Sequence, residues 1–434
     1  MSIYRVATAN TFDRTIQNIN RRQSELAQAQ EQLSSGKRVN RASDDAVAAT
    51  LAERAQNRLA RVQADQTALE ASKSSLTLVE AGLGEANDLM VRARELVVQG
   101  GNPVLTQSSR EDLARQLEGL REQMLAVANR TDTAGMTLFG GLGGAAKPFL
   151  DMYGVPTGVQ YEGQIGQYAA TETGLPQAVD GNAVWMRVAP GNGNFTVSLD
   201  NANQGFVRAD QGVVVDAGLA VGLDTGAGYG GYRITMGGTR EAPTFEILRE
   251  ITAPPSTQAV PGFVGPQPYQ PGTTIEFDGI QLTLTGDPMG IGDPSAPQLP
   301  TDPVPNDVVR LTPVDQPTDL FATFQRAIDA LRYNGTNQPA NITQELDRVL
   351  VEMDNGNDRI LDTRGRVGEW LNRADSMGEV FADKALFHQK EKSDQEDLDM
   401  VQGISDFQNL QLGLQAALQS YGQVQKLSLF QYIA

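Results

Sequence analysis

Apolar residues recur along both flanks of this chain with helical spacing, and over far longer stretches than one globular core needs. From Ala48 to Val97, fifteen positions spaced alternately three and four apart carry twelve apolar side chains, among them Leu51, Ala55, Val62, Leu69, Leu76, Val79, Leu83, Met90 and Val97. The three exceptions, Arg58, Asp65 and Ser72, fall seven apart in one column of the seam. A heptad kept this long predicts one coiled-coil helix of some fifty residues, about 75 Å in length. Beyond Gly100-Gly101-Asn102-Pro103, the pair Ser108…Glu111 reads as a capping box, and Leu113, Leu117, Leu120, Met124 and Val127 continue as a second helix. The other flank answers: nine of eleven positions between Leu346 and Phe381 are apolar at the same spacing. A shorter helix before it carries Phe321, Phe324, Ile328 and Leu331. The simplest account of these stripes is the core of a helical bundle.

The two ends carry stripes of their own. Phe12, Ile16, Ile19, Leu26 and Leu33 form one, and Phe407, Leu410, Leu414, Ala417, Tyr421 and Val424 the other. Polar stretches, Ser34–Asp45 and Lys390–Asp399, separate them from the long helices. A lone amphipathic helix buries too little to stay ordered in water, so each end needs a partner helix, in the same chain or in a neighbouring one.

Between the flanks the pattern changes period. Val184–Val188, Phe195–Leu199 and Tyr232–Met236 have strand composition, and Thr274–Phe277 and Ile280–Leu284 flank an Asp278-Gly279 pair, the signature of a tight hairpin. Of 21 prolines, 19 lie between Pro148 and Pro317. Proline breaks helices, so the flanks are free to be helical where the middle is not. Pro254–Pro271 and Pro288–Pro317 read as connections. The expected fold is α+β and multi-domain: a long coiled-coil helical bundle built from both termini, with an inserted β-rich outer domain. Its parts are 1–45 with 390–434 as terminal helices, 46–146 with 319–389 as a helical rod, and 147–318 as the β-rich, solvent-facing part.

Charge divides the chain in the same places. Residues 1–135 hold 17 basic and 17 acidic side chains, whereas 136–318 hold 7 and 18, and the whole chain carries −18. A surface this acidic argues against nucleic acid, and no run of residues suits a membrane span or a cleaved secretory signal. Cysteine is absent and His388 is the single histidine, which removes thiol chemistry, disulfides and multi-histidine metal centres together. Gly226-Ala227-Gly228-Tyr229-Gly230-Gly231 matches a dinucleotide fingerprint in letters, yet the run from Tyr232 onward has the composition of a strand and not of a helix. The acidic group Asp394, Glu396, Asp397 and Asp399 reads as a helix N-terminus rather than a cation site. The chain is expected not to be an enzyme and to need no cofactor or metal.

Four segments carry a resemblance. Leu33-Ser34-Ser35-Gly36-Lys37-Arg38-Val39-Asn40-Arg41-Ala42-Ser43-Asp44-Asp45-Ala46 resembles the L-S-S-G-x-R-I-N-x-A-x-D-D-A stretch of flagellins and their relatives. Glu95–Gly100 is similar to the segment that ends their long rod helix. Gly135-Met136-Thr137-Leu138-Phe139-Gly140-Gly141, followed by Pro148-Phe149, resembles the entry to the outer domain in the hook-associated protein 3 family, and Leu427–Ala434 resembles that family's C-terminal ending. Both arms, about 60% of the chain, are framed by these matches.

The resemblance implies paired terminal helices forming an inner tube, a helical rod around it and a β domain outside. It implies a structural adaptor between hook-associated protein 1 on the hook side and the first flagellin subunits. Such a protein would be homo-oligomeric in the axial structure, located outside the cell, and exported unfolded through the flagellar type III apparatus with a chaperone and without a cleaved signal. On that reading Phe12, Ile16, Ile19, Leu26 and Leu33 pack with Phe407, Leu410, Leu414, Tyr421 and Val424 in assembly, and Lys37, Arg38, Arg41, Asp44 and Asp45 make contacts between tube and rod. The alternatives are a flagellin filament subunit, a filament-type protein with a hydrolase inserted in its middle, and a secreted coiled-coil adhesin.

Overall fold

The computed structural model describes residues 3–152, 158–167, 174–289, 299–335 and 338–433, with side chains of 3–12, 338 and 424–433 excepted. Seven α-helices occur among them: α1 (Ile3–Ser35), α2 (Ala46–Gly100), α3 (Gln107–Ala128), α4 (Gly181–Trp185), α5 (Leu320–Arg332), α6 (Gln338–Glu396) and α7 (Met400–Ile433). The chain divides into two compact units, 1–69 with 375–434 and 70–374. Helices α2 and α6 contribute residues to both.

The seam of α2 does what its spacing dictates. Ala55, Val62, Leu69, Leu76, Val79, Leu83, Met90 and Val97 are buried, while Leu51 near the helix start is 39% exposed. Of the polar column, Ser72 is buried and Arg58 is exposed. Helix α3 begins two residues earlier than the Ser108…Glu111 pattern suggests. Its cap is Thr106, whose hydroxyl accepts the Ser109 N–H at 3.2 Å. Three hydroxyl residues, Thr106, Ser108 and Ser109, lie close together there, and the first of them opens the helix. Replacing Thr106 by alanine is expected to cost about 1 kcal/mol of stability, read as a shift in the urea midpoint.

In the 70–374 unit, α2, α3, α5 and α6 share one core with two short strands, β1 (Phe149–Asp151) and β2 (Val159–Tyr161). An aromatic group closes it: Phe139 meets Trp185 edge-on at 5.4 Å, and Phe321 lies 6.0 Å from Phe149 and 6.5 Å from Trp185. Val184–Val188 is therefore not a strand. Asp180 caps a single helical turn by accepting the Asn182 N–H at 2.9 Å, and the turn drives Trp185 into the core. A short buried apolar run reads alike as helix or strand, and here the Asp-Gly start decided it.

The rest of the middle is a pair of antiparallel sheets around a second core. Their strands are β3 (Phe195–Leu199), β4 (Arg208–Ala209), β5 (Val213–Val214), β6 (Tyr229–Gly238), β7 (Pro243–Thr252), β8 (Pro255–Ala259), β9 (Gln267–Pro268), β10 (Thr273–Phe277), β11 (Ile280–Thr285) and β12 (Val308–Pro313). One sheet runs β3-β12-β6-β7-β8 with β9 beside β7, and the other β10-β11-β4 with β5 beside β11. The Asp278-Gly279 hairpin forms as predicted, with both residues at positive φ (44° and 68°). Asp278 also pairs with the buried Arg249 at 2.5 Å and accepts the Tyr232 hydroxyl at 3.0 Å. The Gly226–Gly231 run leads into β6, so a strand comes after it. Both proline-rich segments hold strands, contrary to expectation. β8 and β9 lie along β7 at the margin of the sheet, where proline is tolerated, and β12 sits between β3 and β6 with its proline at the last position.

A polar ladder on α6 fixes this β structure. Gln344 accepts the Ala209 N–H at 3.0 Å, Glu352 the Gly191 N–H at 3.2 Å, and Asn355 donates to Ala189 and Gly191 carbonyls at 2.9 and 3.0 Å. Arg359 donates to the Ala183 carbonyl at 3.3 Å. These positions recur at helical spacing, so one face of α6 reads the backbone of the insertion.

Candidate assembly surface

No group of three or more His, Asp or Glu side chains among the described residues is placed to hold a metal ion. His388 lies within α6 with its side chain 16% exposed, Nδ1 3.1 Å from Glu391. None of the described helices is long and apolar enough to cross a membrane. The features that ask for a partner are instead the terminal helices.

α1 and α7 lie side by side and antiparallel: Gly403 packs against Leu33, and Gly413 against Arg22. Two helices alone can cover only facing stripes. Accordingly Ile16, Ile19, Leu26 and Leu33 of α1, and Phe407, Leu410, Leu414, Ala417 and Tyr421 of α7, are all half-buried and none is fully so. The structure thus brings the two predicted stripes to one seam. Phe12 and Val424 lie outside the described side chains. Covering the open half of each side chain is worth about 1 kcal/mol, which is what a further helix would supply.

A second apolar surface was not read from the sequence. Met400, Ile404 and Leu418 stand exposed on the flank of α7, with Val401 (82% exposed) and Leu412 further round. Among the described side chains of α1, no large apolar residue is exposed in this way. The signal was present as spacings of four and two sevens across Met400, Ile404, Gln411 and Leu418, outside the seam that first draws the eye. Placing a charge there, as in Leu418→Asp, is expected to leave the folded content of the free chain unchanged while abolishing its incorporation into assembled structures, read by circular dichroism and by electron microscopy.

All five polar residues picked between the helices make contacts within the chain. Lys37 Nζ lies 2.6 Å from Glu396, Arg38 3.3 Å from Asp45, and Arg41 2.9 Å from Glu31. Asp44 accepts the N–H groups of Asn40 and Arg41 at 3.1 and 2.9 Å, which closes the loop on itself. Asp45 caps α2 through the N–H groups of Val47 and Ala48 at 3.1 and 3.0 Å. The Ala48 N–H, and next the Arg38 guanidinium, hold its carboxyl below the ordinary aspartate range. On the other side, α6 runs on to Glu396, so the expected Lys390–Asp399 loop shrinks to Asp397–Asp399. Asp399 then caps α7, accepting from Val401 and Gln402 at 3.0 and 3.2 Å.

Paired terminal helices, a helical unit to which both flanks contribute and a β insertion in the middle define the architecture. The bacterial flagellin N-terminal helical region matches residues 6–143. Flagellar hook-associated protein 3 of Escherichia coli K12 is 24% identical over 98% of this chain and 99% of its own length. Flagellin of Bacillus subtilis is 30% identical, but over 32% of this chain and 45% of its own. Among solved structures, the flagellar junction protein FlgL from Legionella pneumophila superposes with a TM-score of 0.61 at 24% identity, covering 75% of this chain and 99% of that one. Residues 6–143 thus match the flagellin N-terminal helical region, and over nearly its whole length the chain is similar to a hook-associated protein 3. Those relatives are named as flagellar proteins.

Proposed function

We propose that this chain is the structural adaptor at the hook–filament junction, seated between hook-associated protein 1 and the first flagellin subunits. In this reading several copies form one layer of the axial structure. Residues 1–45 with 390–434 build the inner tube, 46–146 with 319–389 the rod, and 147–318 the outer face. The observation that carries it is the half-covered seam of α1 and α7 together with the open apolar flank of α7, surfaces that only neighbouring helices can finish. Likeness to a hook-associated protein over the whole chain, against likeness to flagellin over a third of it, favours the junction over the filament itself.

The proposal extends to export. The chain leaves the cell unfolded through the flagellar type III apparatus, aided by a chaperone, and its ends gain their full order on assembly outside the cell. Absence of cysteine suits such threading, because no disulfide can form ahead of it.

The test is a strain lacking this chain. Hooks without filaments, and flagellin leaking as monomer into the medium, are the expected result. Hooks with no flagellin anywhere would make this chain the flagellin, and normal filaments would sink both readings.

A further inference from the structure

The long helices break twice, at Gly36–Asp45 and at Asp397–Asp399, and the two breaks are stitched to each other. The Leu398 N–H donates to the Gly36 carbonyl at 2.9 Å, and the Arg38 and Val39 N–H groups donate to the Glu396 carbonyl at 2.8 and 3.3 Å. Lys37 and Asp397 face each other as an isolated antiparallel bridge. Side chains reinforce it: Lys37 Nζ meets Glu396 at 2.6 Å, and Arg38 Nη2 donates to the Gln395 carbonyl at 2.9 Å. Val39 is buried beside the stitch, and Gly403, in the first turn of α7, packs on Leu33 and Leu398.

The carbonyl of Glu396 belongs to the last turn of α6, whose C=O groups have no helical partner. The loop after α1 supplies the missing donors. In return the segment leading into α7 donates to Gly36, the residue that follows α1. Neither break can open without leaving the other with unpaired backbone groups and an uncovered Val39. Each terminal helix alone buries too little to hold itself in place.

We infer that this stitch is a coupling device. It makes α1 and α7 order and disorder as one unit, so a partner that engages either helix fixes both. The inference rests on the reading of the terminal helices as the assembly surface, and gives that surface its regulation. By linkage, whatever free energy one helix gains from a neighbour is felt equally by the other. A subunit held by one end with the other end loose is then disfavoured, and subunits join the structure in a single step.

The chain has no cysteine, so the stitch can be locked cleanly. Facing residues of an antiparallel bridge have Cβ atoms about 4.5–5.5 Å apart, close enough for a disulfide after small adjustment. The experiment uses the purified full chain carrying Lys37→Cys and Asp397→Cys, with Lys37→Cys alone as control. Limited proteolysis is followed by mass spectrometry of cleavage within 13–35 and within 400–423, oxidised against reduced. The disulfide is expected to form under mild oxidant and to slow cleavage in both segments by the same factor, about ten-fold or more, the low end for closing so long a loop. Protection of one segment only, protection of neither, or failure of the disulfide to form would each overturn the coupling. Normal filaments in the deletion strain would remove the junction reading and leave coupled protection standing; independent protection with leaking flagellin would do the reverse.

Discussion

Glu352→Ala is expected to lower the unfolding free energy of the 70–374 unit by about 3–5 kcal/mol, read from urea denaturation. Glu352 is fully buried on α6 and each of its oxygens carries a partner. Arg348 Nε lies 2.9 Å from Oε1, which also accepts the Gly191 N–H at 3.2 Å, while Arg326 Nη2 and the Thr323 hydroxyl meet Oε2. Removing the carboxylate takes from two partly buried guanidinium groups the anion they both touch, leaving Glu345 and Asp319 as their remaining acidic neighbours, and frees the loop that leads into β3. The cost comes chiefly from those abandoned charges, not from the worth of the ion pair itself. A second measurement separates the two. Replacing Glu352, Arg326 and Arg348 together by Leu, Met and Met, and with them Glu345 by Gln because it is buried beside both arginines, is expected to cost less than Glu352→Ala alone, since the main partners of those charges go with them. A single-site loss under about 1 kcal/mol would mean that water reaches the site and the ladder is dispensable.

The same residues show where sequence reading stops. The helix α2 was legible because its repeat runs long enough for fifteen positions to agree, and a strand or loop cannot imitate that. Glu352 was not, because it sits among the polar positions of a helix where a charge ordinarily faces solvent; nothing in the order of residues says that Gly191 and Arg326 will come to it. The loop residues Lys37 and Arg38 were picked out by a motif, but their partners Gln395 and Glu396 lie some 360 positions away and share no period with them. β12 was hidden by the prolines on either side of it, although Val309 and Leu311 alternate as a strand requires. Local periodicity carries the elements; pairings set by the fold, the seam of α1 with α7 included, are visible only as two half-stripes awaiting each other.

Stability of the 70–374 unit is expected to rise as pH falls from 7 toward 4, with Asp319 a principal cause. Its carboxyl caps α5, with Oδ1 accepting the Ala322 N–H at 2.7 Å, while Oδ2 is buried and has no hydrogen-bond partner. Burial pushes its pKa up to about 6, against the opposing pull of the Ala322 N–H and the charges of Arg326 and Arg121. The folded state therefore holds this proton more tightly than the unfolded chain. The stabilisation is complete below the unfolded value near 3.8 and is lost as pH rises through about 6. At 1.36 kcal/mol per unit, the loss between pH 4 and 7 is on the order of 3 kcal/mol. Burial also raises Glu345, Asp347 and Asp307, and the acidic surface adds repulsion at neutral pH, so these groups slope the same way, against Asp200, which the Ala202 N–H and Arg310 hold below the ordinary range. Asp319→Asn isolates the one group, because asparagine keeps the capping oxygen and cannot ionise. The gap between wild type and variant is expected to favour wild type at pH 4.5 and to close or reverse by pH 7.5. Parallel profiles would show that water or a rearranged Arg121 already satisfies the charge.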